Sequence, residues 1–283
     1  MNRFLPTIVF LASAAAVCGQ GLAEEKPRES PPPIQDNSFL MEEAYNQEEG
    51  VVQHINAFQR MRGGEWLATF TQEWPVPKQT HQLSYTIPYQ RIAGDSAARS
   101  GLGDIGLNYR YQLAGSGETR FACAPRLTLL LPTGDEKKGL GSGGLGFQVN
   151  VAMSEVLSPR WVTHTNVGGT YTGAAKNERG EEAMTRSVNA GQSLIWTLRP
   201  DFNVLIEAVW TRSQSVVGLG KSGSQDSFLV SPGIRWAYNF SSRLQVVPGI
   251  AFPIGVGPSR GERGIFLYLF AVDRVAPRKR GET

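Results

Sequence analysis

The sequence predicts an all-β fold, an antiparallel transmembrane β-barrel of about twelve strands. Between residues 51 and 272, about a dozen segments alternate between apolar and polar residues with a period of two. In segment 103–113, Ile105 and Leu107 share one face while Asn108 and Arg110 share the other. Long two-faced strands that follow an export signal are typical of an outer-membrane barrel, apolar outside and polar inside.

Residues 1–23 have the features of a signal peptide, namely positive charge at Arg3, an apolar stretch from Phe4, and small residues at the cleavage point. Cleavage there would leave Cys123 as the single cysteine, so no intramolecular disulfide could form. Charged residues make up 19% of the chain and the net charge is +3, which gives no argument for nucleic acid as a partner.

The segment after the signal, residues 24–50, is charged and proline-rich at first and then acidic. It favours a short helix around residues 39–47. Two interpretations stay open: an N-terminal periplasmic segment, or a plug that enters the lumen and pairs with arginines there. The barrel itself is predicted over residues 51–272, followed by a basic C-terminal tail at 273–283.

Twelve strands make an even number, which places both termini in the periplasm. The first and last strands alternate least regularly, whereas the fourth, around Tyr109, alternates most clearly. The predicted strands are 51–61, 65–75, 81–91, 103–113, 119–132, 145–157, 160–172, 186–198, 202–213, 226–240, 243–254 and 263–272.

Short and long links between the strands alternate along most of the chain, as periplasmic turns and outer loops do. The link at 62–64 is short where a long one is expected. The predicted long links are 93–102, 133–144, 173–185, 215–225 and 255–262.

Lysine and tryptophan positions favour a membrane barrel over a soluble one. All seven lysines lie outside the predicted strands, although a soluble barrel would use lysine freely on its wet face. Tryptophans lie on apolar faces near strand ends, where aromatic girdles meet the two membrane interfaces. The predicted girdle residues are Trp66, Trp74, Trp161, Trp196 and Trp210.

Proline is the main objection to closed strands, because each proline removes one ladder hydrogen bond. Pro88, Pro125, Pro232 and Pro248 lie inside predicted strands, so bulges or lumen water are expected there. The matching pieces 231–234 and 247–250 predict a repeated bend in two paired strands.

The polar faces supply the candidate site, because charges within a membrane usually line a pathway or pair with one another. One interpretation is a salt-bridged, water-filled interior without selectivity; the other is a constriction that selects small polar or anionic solutes. The lumen-lining candidates are Asp104, Arg110, Arg126, Gln148, Asn150, His164, Asn166, Glu207 and Arg235.

No cofactor or metal is expected from the motifs. Residues 141–146 match G-x-G-x-x-G, but a strand pattern follows where a nucleotide site needs a helix. The three histidines are scattered and lack metal-site spacing. His164 and Asn166 share a face, and Ser193 on the next strand could reach His164, so a lipid-modifying enzyme is an open alternative.

Several stretches resemble a family of bacterial outer-membrane proteins labelled "putative transporters" or "putative MetA-pathway of phenol degradation". The resemblance covers residues 35–270, and the C-terminal tail departs from the aromatic ending common in barrels. The stretches that carry it are 35–39, 48–54, 81–89, 103–113 and 125–135.

The resemblance implies a passive channel or transporter for small solutes, such as aromatic or other small organic compounds. The implied partners are outer-membrane lipid, the solute and the barrel-assembly machinery. A narrow structural or adhesive barrel is the alternative in the same location.

Overall fold

A computed structural model describes most of the predicted barrel and the segment before it. No helix among the described residues is both long and apolar enough to span a bilayer. The predicted signal peptide and nearly all of the predicted basic tail lie outside the described residues. The described residues are 34, 36–93, 97–240 and 244–274, with side chains up to 271.

The described chain forms one antiparallel sheet of fifteen strand segments, β1 to β15. The short segments β4, β12 and β14 continue β5, β11 and β13, respectively. The barrel therefore has twelve continuous strands, which are called staves here. The segments are β1 Val51–Met61, β2 Trp66–Pro75, β3 His81–Ile92, β4 Arg99–Leu102, β5 Ile105–Tyr111, β6 Phe121–Leu131, β7 Gly146–Ser158, β8 Trp161–Lys176, β9 Glu182–Arg199, β10 Phe202–Gly218, β11 Lys221–Trp236, β12 Tyr238–Asn239, β13 Leu244–Ala251, β14 Ile254–Gly255 and β15 Gly264–Arg274.

The sheet closes where β1 pairs antiparallel with β15 along its whole length, from Val51 opposite Arg274 to Met61 opposite Gly264. The predicted all-β fold, a barrel of about twelve strands, is confirmed. The weak alternation of β15 has a physical cause. Its inward residues Phe266 and Tyr268 are aromatic because they pack against another part of the chain inside the barrel.

The barrel is inverted relative to a soluble protein. On the outer wall Leu127 and Val149 are each 50% exposed, whereas the inward Arg235 and His164 are 0% exposed. Exposing Leu127 and Val149 to water would be unfavourable, and so would burying Arg235 and His164 in an apolar interior. Lipid outside and a polar interior satisfy both, so this is an outer-membrane barrel.

The two ends of the barrel differ. The turn end carries links 76–80, 112–120, 159–160 and 200–201, and the loop end carries links 62–65, 93–98, 132–145, 177–181, 219–220 and 256–263. Short 3-10 turns at Glu136–Lys138 and Gly257–Ser259 lie in two of the loop-end links.

Bulges accommodate two of the four strand prolines. Thr86 pairs with Gly106 and Tyr89 with Leu102, so the two residues that include Pro88 face three on the next stave. The extra residue removes the need for an N–H at proline. The expected bulge is therefore present at Pro88.

Pro125 lies at a second bulge. Arg110 pairs with Arg126 and Ala114 bridges Cys123, so three residues of one stave face the two that include Pro125. The bulge expected from the sequence is present here as well.

Pro232 and Pro248 lie instead at interruptions of the ladder between β11 and the β13–β14 stave. The register is kept on both sides of each interruption, and Phe252 donates its backbone N–H to the Pro232 carbonyl. At these two prolines the ladder is interrupted without an extra residue, so a bulge is absent there.

Two hairpins project further at the loop end than the sequence predicts. Strands β8 and β9 reach Lys176 and Glu182, and β10 and β11 reach Gly218 and Lys221, so the predicted long links 173–185 and 215–225 are wrong. The prediction that no lysine lies in a strand fails at the same two lysines. A transmembrane strand needs about 9–11 residues. Beyond the hydrocarbon layer both faces of a strand meet water. Strand pairing therefore continues there without the alternation of apolar and polar residues that identifies a membrane-spanning strand.

The inverted wall predicts opposite effects of one charge on its two faces. Leu127→Arg, outward in the middle of β6, should lower the free energy of unfolding by roughly 2–4 kcal/mol in lipid. Gln148→Arg, inward on the neighbouring β7, should change it by less than about 1 kcal/mol. Urea unfolding in vesicles measures both, and equal losses would contradict a lipid-facing outer wall.

Candidate functional site: the filled lumen

Residues 36–50, called here the N-terminal segment, lie inside the barrel and contact inward side chains from β3 round to β15. The segment contains no helix, so the helix predicted around residues 39–47 is wrong. Seven of these nine residues donate their backbone N–H to inward side chains of the wall, which leaves those donors unavailable for a helix.

Glu207 of β10 holds the start of this segment. Its Oε1 accepts backbone N–H groups from Phe39 at 3.1 Å, Leu40 at 2.8 Å and Met41 at 3.1 Å. Three successive donors converge on one oxygen, and Glu207 itself is 0% exposed. A carboxyl oxygen here does for the segment what an acidic N-cap does for a helix.

Arg110 of β5 holds the middle of the segment through all three guanidinium nitrogens. Nε donates to Asn46 Oδ1 at 3.0 Å, Nη1 to the Glu43 carbonyl at 3.1 Å, and Nη2 to the Tyr45 carbonyl at 2.6 Å. Gln112, next on the same inward face, accepts the Asn46 N–H and donates to the Ala44 carbonyl. The planar fork of arginine suits such a set of carbonyl acceptors.

Glu42 joins the segment to β6 and β8, close to Arg110 of β5. Its carboxylate lies 2.7 Å from Arg126 Nη1, and its backbone N–H and carbonyl both bond to the Asn166 side chain. Gln148 accepts a hydrogen bond from Arg126, and Asn150 donates to Asn166. Two predicted lumen residues therefore contact Glu42 directly, and two more support them from the wall.

His164 is fully buried and forms a chain of hydrogen bonds with the segment. Its Nε2 lies 2.8 Å from the Asp36 carbonyl, which can only accept, so Nε2 carries the proton and Nδ1 accepts from Ser154 Oγ at 2.7 Å. Ser154 in turn accepts the Ala44 N–H. Ser193, the serine considered from the sequence, instead accepts a hydrogen bond from Ser38.

Phe39 is the apolar anchor of the segment. Its ring lies 5.6 Å from the ring of Phe266 and 5.4 Å from that of Tyr268. On the adjoining staves it lies over Gly249 of β13 and Gly233 of β11, where an added Cβ would lie 2.5 Å and 2.6 Å from ring atoms. These are the glycines of the two matching Pro-Gly pieces, so that repeat makes room for an aromatic side chain.

Arg235 borders the same anchor and is 0% exposed. Its guanidinium lies 5.2 Å from the Tyr268 ring centre and donates to the Asn37 carbonyl at 2.6 Å. A buried cation over an aromatic face is favourable where water is excluded. Arg235 therefore contacts both the backbone of the segment, at Asn37, and the aromatic ring of Tyr268 against which Phe39 packs.

A cavity of about 320 Å³ remains between the segment and the loop end. Two buried polar atoms at its wall, Arg126 Nε and Asn150 Oδ1, have no hydrogen-bond partner among the described residues. Its lining is mostly amides and hydroxyls, with one ion pair. The lining residues are Leu40, Met41, Glu42, Arg126, Gln148, Asn150, Asn166, Thr170, Ser187, Asn189, Val209 and Thr211.

Solved structures resemble this barrel. The COG4313 outer membrane channel from Pseudomonas putida F1 matches with a TM-score of 0.57 and 14% identity, covering 81% of this chain and 97% of that one. A NanC porin matches at 0.49 and 7%, over 78% and 98%, and a KdgM porin at 0.45 and 7%, over 79% and 98%. The first of these likenesses shows a shared fold.

A family model described as "Putative MetA-pathway of phenol degradation" matches residues 43–264, most of the chain. The chain belongs to this family. No curated protein sequence matches it closely enough to count as a relative. The resemblance to an outer-membrane transporter family that the sequence indicated is therefore confirmed.

The mouth of this family member is narrowed by link 132–145. Leu140 is buried against inward Gly101, and its carbonyl accepts a hydrogen bond from Gln90. Asp104, predicted to line the lumen, instead accepts the backbone N–H groups of Gly134 and Ser142. Asp104 therefore organises this loop and does not join the other lumen candidates.

A second loop contact crosses the mouth between β4 and link 177–181. Arg99 donates to both carboxylate oxygens of Glu178, at 2.6 and 2.7 Å. The guanidinium lowers the pKa of this exposed Glu178 carboxyl. The pair ties two loop-end elements together across the opening.

Four of the predicted girdle tryptophans contact other aromatic rings on the outer wall. Trp161 and Trp196 are cross-strand partners at the turn end, with ring centres 5.9 Å apart. Trp66 stacks on Tyr89 at the loop end, and Trp74 contacts Tyr85. Trp210 lies further inside its strand than expected because β10 continues to residue 218. A role for these rings at the membrane interface stays a prediction.

Sequence reasoning missed several wall residues that hold the segment. Gln82 accepts the Gln47 N–H, Gln112 holds Ala44 and Asn46, and Ser154 holds Ala44. All three are uncharged residues on inward faces, and the list of lumen candidates passed over them although it included other uncharged amides. In the described residues no group of three or more potential metal ligands is close enough to hold an ion.

The glycine seat of Phe39 gives a direct test of the segment's position. Gly249→Ala would place a methyl group 2.5 Å from the Phe39 ring and should displace it. Amide hydrogen exchange of residues 36–50 should then accelerate by about tenfold or more, since an overpacked contact costs about 1–3 kcal/mol. Gly63→Ala, which meets open space, is the control, and unchanged exchange in Gly249→Ala would contradict the seat.

Proposed function

We propose that this protein is a passive outer-membrane channel for small polar solutes, and that the N-terminal segment is its plug. Supporting this proposal are the shared fold with an outer membrane channel and the polar lumen that the segment fills. The observation that carries it is the succession of backbone N–H groups bonded to the wall, because such contacts close a pore without fixing it covalently.

The solute class follows from the lining of the cavity beside the plug. Hydroxyl and amide side chains such as Thr170, Asn189 and Thr211 surround it, and none of the described residues that line it is aromatic. A solute crossing this space would exchange hydrogen bonds with water for hydrogen bonds with the wall. Small hydrophilic molecules fit this exchange better than aromatic compounds, so we favour them over the phenolic solutes that the family label suggests.

Opening of the channel would replace the hydrogen bonds between plug and wall by hydrogen bonds to water. Each hydrogen bond between plug and wall contributes a net free energy of roughly 0.5–1.5 kcal/mol, because water can replace it. Water entering the lumen would hydrate Glu207, Arg110 and Arg126 as the segment leaves. The strand ladders do not depend on the segment, so the barrel would stay closed on itself while the pore opens.

An enzyme is the less favoured function. Ser154 and His164 have a nucleophile–base distance, but Ser154 Oγ also accepts the Ala44 N–H and is 2% exposed. A nucleophile needs space for an electrophile beside it, and the plug occupies that space. We therefore propose no catalytic role for this pair.

The proposal also includes the orientation of the barrel in the outer membrane. Outer-membrane barrels have short periplasmic turns and longer outer loops. The turn end of this barrel would then face the periplasm together with both termini, and the loop end would face outward. The plug would enter from the periplasmic side, since Ile34 just before it donates its backbone N–H to the Pro200 carbonyl at the turn end.

Deleting the plug tests the channel. Removal of residues 36–47 should raise single-channel conductance in planar bilayers several-fold, because the lumen would then fill with water. Deletion of residues 24–33, which leaves the plug intact, is the matched control. A deletion variant without discrete conductance would favour a structural barrel, and an unchanged conductance would remove the plug from the proposal.

The Glu42–Arg126 pair allows a test by charge exchange. Glu42→Gln and Arg126→Gln should each increase the fraction of time the channel is open, because each leaves its partner without an ion pair. The swapped variant Glu42→Arg with Arg126→Glu should recover closure in bilayer recordings. An additive effect of the two single changes, with no recovery on swapping, would show that the pair does not hold the plug.

A further inference from the structure

The outer wall at the loop end has a groove of about 470 Å³ where three arginines meet apolar side chains. Arg60 ends the outward face of β1, Arg62 follows in the turn, and Arg263 precedes β15. Arg60 pairs across the ladder with Ile265 and Trp66, which are outward residues of the neighbouring strands. The backbone N–H of Arg62 bonds to the Arg263 carbonyl at 2.8 Å, which fixes these two arginines side by side.

The floor of the groove comes from the interrupted stave beside β15. Strand pairing stops at residues 252 and 253, between β13 and β14. Phe252 and Ile254 on either side of Pro253 are 49% and 48% exposed on the outer wall. Single backbone hydrogen bonds still join Phe252 to Pro232 and Gly264 to Pro253 there. This part of the wall presents exposed apolar side chains beside the arginines, and it is called the notch here.

The arginine cluster is not neutralised by the protein. Within the part of the chain that the structure describes, no carboxylate forms an ion pair with Arg60, Arg62 or Arg263. The nearest acidic residue in the β1–β2 turn, Glu65, accepts the Ala93 N–H instead. Uncompensated charge at the edge of hydrocarbon is unfavourable unless a counter-ion is at hand.

We infer that this groove binds one phosphorylated glycolipid of the surrounding leaflet, with its phosphates on Arg60, Arg62 and Arg263. An acyl chain of the lipid would fill the notch at Phe252 and Ile254. Guanidinium groups bind phosphate through paired hydrogen bonds, and three of them match a headgroup that carries more than one phosphate. An outward-facing loop end would bring the groove to the lipopolysaccharide leaflet, where such lipids are the main component.

The test measures lipid retention by the full-length protein in phosphatidylcholine nanodiscs. Diphosphorylated lipid A is titrated and the bound lipid is counted by native mass spectrometry. The variant Arg60→Gln, Arg62→Gln, Arg263→Gln should bind lipid A about tenfold more weakly or worse, because charge-assisted hydrogen bonds are lost. Arg160→Gln, at the turn end, removes an exposed arginine elsewhere and should bind as wild type does.

Two further arms identify the ligand. Lipid A stripped of its phosphates should bind as weakly to wild type as lipid A binds to the triple variant. Inorganic phosphate at millimolar concentration should fail to displace lipid A, since it cannot fill the apolar notch. Equal binding by the triple variant, equal binding of the stripped lipid, or full displacement by inorganic phosphate would each overturn the inference. Channel conductance is a separate measurement, so its presence or absence does not decide this result.

Discussion

The structure depends on one constraint, that polar groups enclosed by a wall in lipid must find their partners inside that wall. The inner face carries Glu207, Arg110 and Arg235, each at most 4% exposed. The N-terminal segment carries backbone groups with no helix or strand of its own to satisfy them. Each set supplies the partners that the other lacks, so the coil conformation of the segment and the polarity of the wall have the same cause.

Apolar contacts determine where the segment lies, while the hydrogen bonds alone would allow several registers. Phe39 fits only where Gly233 and Gly249 leave room, and Met41 lies against Gly191 in the same way. A shift of one residue would place Ser38 or Leu40 on Gly233 and Gly249 in place of the Phe39 ring, and it would displace the N–H donors that Glu207 accepts. Shape therefore specifies the register, and hydrogen bonding contributes most of the contacts.

The strands could be predicted from sequence because lipid and lumen impose opposite demands on alternate residues. This signal located even β1 and β15, whose pairing closes the barrel. It failed wherever a different partner replaced lipid or water. Asp104 alternates like a lumen residue but bonds to a loop, and the ends of β10 and β11 pair in water with no alternation. The helix expected at 39–47 failed because its donors go to side chains more than 100 residues away for most positions, a relation that local pattern does not contain.

The strand ladders of the barrel do not depend on the N-terminal segment inside it. Ladder hydrogen bonds run between neighbouring staves all the way round, and the segment contributes to none of the paired registers. Loss of the segment would expose inward side chains to water, which can hydrate Arg110 and Glu207 well, and would leave the outer wall unchanged. Apart from the Phe39 anchor, the free energy that holds the segment is thus a difference between protein and water partners, and it is small enough per contact for a channel to open without unfolding. A barrel with an apolar core could not behave in this way, because emptying it would expose apolar surface to water.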